Sequence, residues 1–235
     1  MKKIGMKCCP CLNHLVHNVV DHVECVLNKA RDNFSFLALF GLRLYLAPVF
    51  ITAGINKLQS FDNTVAWFAA EGWGLGLPFP AVLAALAIAA ELLGGIALLV
   101  GLFTRLTTVP LMVTMLVAAF AVHWDNGWYA IAPSNAQTSV SAPLAVVGFP
   151  GAVESLKNSE AVAERLDHAR AVLKEAESYS WVTEKGGLVV LNNGVEFAIT
   201  YFLMLLVLFF YGGGKHLSLD YYLLCWLRCK PEEDE

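Results

Sequence analysis

The sequence predicts an all-α polytopic membrane protein: a four-helix bundle with an N-terminal amphipathic surface helix and a periplasmic insert between spans three and four. Three observations predict it. The chain of 235 residues is 57% hydrophobic and 15% charged, with mean hydropathy +0.57, whereas soluble domains are about a quarter charged. Four apolar runs have roughly the length of a bilayer crossing. Ionisable residues are so sparse within those runs that each one needs a partner or a reason. The net charge of −4 comes with no basic face carrying interleaved aromatics, which excludes nucleic acid as a partner.

The first segment, residues 1–33, is read as cytoplasmic and is not a signal peptide, because no apolar core follows Lys2, Lys3 and Lys7 before Pro10. From Leu12 an apolar stripe of Leu12, Leu15, Val16, Val19, Val23, Val26 and Leu27 recurs at helical spacing, opposite His14, His17, Asp21 and Glu24. That pattern predicts an amphipathic helix lying on the membrane surface and feeding the first span. Cys8, Cys9 and Cys11, followed by His14 and His17, offer soft thiolates and imidazoles of the kind that hold copper(I) or zinc. The spacing fits no standard zinc-finger pattern, and ordinary free thiols are the plainer reading.

Residues 34–128 should hold spans one to three. Span one, Phe34–Ile55, contains Arg43 near its middle, a kink at Pro48, and Lys57 just beyond its end. Residues 56–79 read as a loop rich in tryptophan and glycine. Span two runs from Pro80 to Phe103, interrupted by Glu91, and turns at Arg105 into span three, Leu106–Val122. The segment His123-Trp124-Asp125-Asn126-Gly127-Trp128 closes that span. Residues 129–193 form the insert, loop first and then a soluble helix over Ala152–Ser178. Span four, within 194–212, opens with Glu196, and residues 213–235 are a cytoplasmic tail with a short amphipathic helix over Leu217–Leu227. Basic residues cluster before span one, at Arg105, and after span four, so both termini should face the cytoplasm.

At about 1.5 Å rise per residue, Arg43 lies about 14 Å from the start of span one and Glu91 about 16 Å from the start of span two. In a hydrocarbon core of about 30 Å both fall near mid-depth, and an Arg43–Glu91 pair is expected. Arg43, Ala47, Phe50, Gly54 and Lys57 share one stripe, and Glu91 shares a face with Ala84, Ala87, Gly94 and Gly95, small residues that let spans approach closely. Lys57, His123, Asp125 and Glu196 should converge at the outer mouth and extend a polar column inward to Arg43 and Glu91. Such a column either fixes the register of the bundle or binds a polar headgroup, a quinone or a proton. His123 is its natural proton carrier.

The order Arg43, Phe50-x-x-x-Gly54-x-x-Lys57, Glu91-x-x-Gly94-Gly95 and Gly101-x-x-Thr104-Arg105 across four spans resembles the DoxX family. The likeness covers roughly 34–128 and 194–212 and leaves out the Cys/His segment and the insert. It implies a multi-pass protein of the bacterial inner (cytoplasmic) membrane. Some members are similar to the small subunit of a thiosulfate:quinone oxidoreductase, and others to partners of thiol-stress enzymes. Residues 123–128 also resemble a DoxX-like subgroup found with copper-responsive, cysteine-modified peptides. The expected function is therefore a quinone- or thiol-linked redox component in copper or oxidative stress. Arg43 and Glu91 would set the field, and Lys57, His123, Asp125 and Glu196 would bind or protonate the substrate. The expected partners are the lipid bilayer, a redox protein and a further copy of the chain. The competing expectation is a non-enzymatic scaffold or transporter for copper or a metal-binding peptide.

Overall fold

A computed structural model of the chain describes residues 10–131 and 139–228, apart from the side chains of residues 10–18 and residue 32. The protein is all-helical over these residues, with one isolated bridge between Ile131 and Leu191. The helices are α1 (Pro10–Gln59), α2 (Phe61–Ala69), α3 (Pro80–Val100), α4 (Thr104–Val117), α5 (Ser141–Val146), α6 (Ala152–Glu175), α7 (Tyr179–Thr183), α8 (Glu196–Tyr211) and α9 (Leu219–Arg228). One π-helical turn, Ala118–Val122, extends α4.

Among the described residues, three helical segments are long and apolar enough to cross a membrane: Asn33–Gln59, Pro80–Val100 and Thr104–Val122. With α8, which is shorter, they run alternately up and down. One end of the bundle carries the insert and the other carries the tail. The core gathers Leu46, Ala47 and Phe50 of α1, Leu98 of α3, Leu111 of α4, and Leu205 and Leu208 of α8. Many large apolar side chains of the spans face outward, including Leu44, Leu86, Leu93, Leu106, Val113 and Phe210, as lipid-facing surfaces require.

Two readings of the sequence are corrected. The surface helix and the first span are one helix of 50 residues. No glycine or proline interrupts residues 11–40, so the backbone has no reason to turn at residue 33. The segment 56–79 is not all loop. The first helix runs on to Gln59, and α2 then folds back over the start of α3 and buries Thr64 and Phe68.

Glycines set the register between spans. A Cβ on Gly95 would lie 2.8 Å from Ile51 Cγ1 and 3.1 Å from the Ala47 carbonyl, and one on Gly54 would lie 3.0 Å from the Leu92 nitrogen. Close approach of α1 and α3 depends on these two residues. Gly94 faces the other way, where an added Cβ would meet Leu111 of α4 at 3.0 Å.

Candidate functional site

Register decides which charges meet. With Gly54 against Leu92 and Ala47 and Ile51 against Gly95, Lys57 comes level with Glu91. Lys57 Nζ donates to both Glu91 oxygens at 2.5 Å. The Glu91 side chain is 4% exposed and that of Lys57 is 32% exposed. The carboxylate is therefore sealed between spans while the lysine side chain is partly open at the bundle surface. The α2 helix sits above the pair: Thr64 Oγ1 donates to the Lys57 carbonyl at 3.3 Å and the Ser60 carbonyl at 3.0 Å.

The expected Arg43–Glu91 pair does not form. Arg43 is fully buried, but it lies level with the end of α3, where Nη1 donates to the Leu98 carbonyl at 3.3 Å. Leu98 and Gly101 lie seven and ten residues beyond Glu91, about 10–15 Å along the axis. The depth estimate assumed that spans one and two begin and end flush. In the structure α1 is displaced toward the tail end, and α2 packs against the opening turns of α3.

Arg43 instead fastens the tail. Nη2 donates to the Leu217 carbonyl, while the Phe40 ring lies 5.6 Å from the guanidinium carbon. Beside it, Ser218 Oγ and the Asp220 N–H both donate to the Gly101 carbonyl at 2.9 Å. The Asp220 carboxylate accepts the N–H groups of Phe103 at 2.6 Å and Thr104 at 2.8 Å, capping the start of α4. Gly101 has φ +70°, and a Cβ there would collide with Arg43 Nη1. One residue on from Asp220 in α9, the charge interaction and hydrogen bond with Cys225 push the Tyr221 hydroxyl above its usual range.

Of the remaining candidates, His123 and Glu196 belong to a separate clasp at the insert end. His123 Nδ1 donates to the Asn193 carbonyl at 2.8 Å, and Asn126 Nδ2 donates to the same oxygen at 3.2 Å. Glu196 Oε2 accepts the Ala130 N–H at 3.0 Å. Asn158 of α6 donates to the Asn126 carbonyl at 2.6 Å and to Asn192 Oδ1 at 2.9 Å. Asp125 is exposed. Among the described residues no recorded hydrogen bond or ion pair joins Lys57 or Glu91 to His123, Asp125 or Glu196, so the column divides into a pair and a clasp. The Asn158 and Asn192 contacts went unread in the sequence, where isolated asparagines signal turns and nothing more.

Cys8 and Cys9 lie outside the described residues, as do the side chains of Cys11, His14 and His17. Among the described residues no group of three or more His, Cys, Asp or Glu is placed to hold a metal ion.

Comparison with known proteins gives two matches. A family model described as DoxX matches residues 38–124, a stretch that holds Arg43, Lys57, Glu91 and His123 and stops before Asp125 and Glu196. Inner membrane protein YphA of Escherichia coli (strain K12) is 32% identical over 120 residues, covering 47% of this chain and 82% of that protein. No solved structure matches.

Proposed function

The chain belongs to the DoxX family, and from that premise we propose that this membrane protein is a quinone-linked redox component of the bacterial inner membrane, with its ligand site at the Lys57–Glu91 pair. The observation that carries the reading is the asymmetry of the pair, with a buried carboxylate against a partly exposed lysine side chain. Lysine has three N–H donors, and two are directed at Glu91. The third is left for a carbonyl oxygen approaching from the bilayer. A charge pair within the spans with one side chain partly open is more than a register device requires.

The fit to a quinone is chemical. Its ring carbonyls accept hydrogen bonds, and its isoprenoid tail partitions into the lipid that surrounds α1 and α3. When bound, a quinone supplies two-electron, two-proton chemistry, with electrons delivered by a partner protein. Lys57 holds the carbonyl, Glu91 anchors Lys57 and accepts or returns a proton, and α2 shields the pair from water. Both termini lie in the cytoplasm and the insert faces outward, following the distribution of basic residues in the short connections. The setting is the redox or copper-stress response that the family resemblance implies.

Native mass spectrometry of protein extracted in mild detergent tests the site. Quinone should co-purify with the wild type and be lost in Lys57→Ala and Glu91→Gln, while Lys185→Ala, on the insert, retains it. Equal quinone content in all four proteins would refute the assignment.

A further inference from the structure

At the opposite end of the bundle from the Lys57–Glu91 pair, an open groove of about 980 Å³ lies between α1, α4, the end of α8 and α9. Its volume is at the upper end for sites that hold small molecules. Its walls are of two kinds. Leu39, Leu106 and Val207 belong to the spanning helices, and Leu224 and Leu227 belong to α9. The apolar lining therefore continues directly from the lipid-facing surface. At its rim stand Arg105, in the first turn of α4, and Lys215, four residues beyond the end of α8. Both are exposed and both sit where spans leave the hydrocarbon.

The charge balance at the rim favours an anion. Asp220 is the carboxylate among the lining residues, and both of its oxygens are occupied by the Phe103 and Thr104 N–H groups. Arg105 uses Nη2 on the Phe210 carbonyl at 3.0 Å, which fixes the guanidinium at the rim and leaves its other donors free. Trp226 and Tyr221, also at the groove, are side chains suited to the membrane–water interface. We propose that this groove is a binding site for one anionic phospholipid, with the phosphate held by Arg105 and Lys215 and an acyl chain laid along Leu39, Leu106 and Val207. A lipid there bridges α1, α4, α8 and α9, and so secures the tail that Arg43 and Ser218 already fasten. The site is independent of the quinone reading and can fail without it.

The test uses the full chain, delipidated in detergent and titrated with phosphatidylglycerol, phosphatidylcholine or inorganic phosphate, and read by native mass spectrometry and thermal unfolding. Phosphatidylglycerol should be retained and raise the melting temperature. Lys215→Gln with Arg105→Gln should weaken its retention about tenfold or more, as expected for two cations at an anionic headgroup. Lys215→Arg with Arg105→Lys should restore retention, which separates lost charge from a damaged fold. Lys185→Gln, on the insert, should change nothing. Equal retention of phosphatidylcholine, equal stabilisation by phosphate alone, or displacement of the lipid by ubiquinone would each overturn the proposal.

Discussion

A buried carboxylate with one partner responds sharply to loss of that partner. Lys57→Met leaves Glu91 uncompensated between spans and should destabilise the protein by about 3 kcal/mol, the low end for a broken pair because Lys57 is partly exposed. Lys57→Met combined with Glu91→Leu should recover most of that loss, measured by thermal unfolding in detergent, while quinone retention stays abolished. A double variant no more stable than the single one would mean the pair is worth more than its burial costs. Gly101 poses a different constraint. Its φ of +70° and its contact with Arg43 Nη1 leave no room for a side chain. Gly101→Ala should therefore cost about 3 kcal/mol or more, visible as a lowered melting temperature and faster proteolysis of the tail.

Between elements, the small residues of α3 do unequal work. Gly95 faces the α1 backbone, with the Ile51 nitrogen and Ala47 carbonyl within 3.1 Å of an added Cβ, whereas Gly94 faces the side chain of Leu111 alone. Backbone cannot yield as a leucine rotamer can. Gly95→Ala should cost about 2 kcal/mol and Gly94→Ala about 1 kcal/mol, with the ranking read from unfolding in the same detergent. Gly95→Ala should also loosen the Lys57–Glu91 register, so it should lower quinone retention where Gly94→Ala does not.

For the whole molecule, the insert is held to the bundle through asparagines and backbone carbonyls. Asn158→Ala removes the hydrogen bonds from α6 to Asn126 and Asn192. It should speed hydrogen exchange in α6 while leaving α1, α3 and α4 protected, since the core of Leu46, Phe50, Leu98 and Leu111 is remote from the clasp. The proposed orientation has its own check: a cysteine at Ser178→Cys should react with a membrane-impermeant thiol reagent in intact cells, and one at His216→Cys should not. Reversed labelling would invert the topology.

Composition and apolar run length determined the class and the approximate limits of the spans, because a bilayer imposes length and polarity on any helix that crosses it. The charged residues within the spans were legible too, since any charge within such a run is conspicuous. Which charges meet was not legible. Arg43 and Glu91 are both mid-span by counting, yet helices pack at the offset their small residues allow, and Gly54 and Gly95 place Lys57 beside Glu91 and Arg43 beside the tail. Likewise, the spacing of His123, Asn158 and Asn192 in the sequence reveals nothing of their clasp, which exists because the chain returns to the bundle after the insert. Sequence fixes what each helix can bury; the offset between helices, a sum of many close contacts far apart in the chain, is decided by tertiary packing.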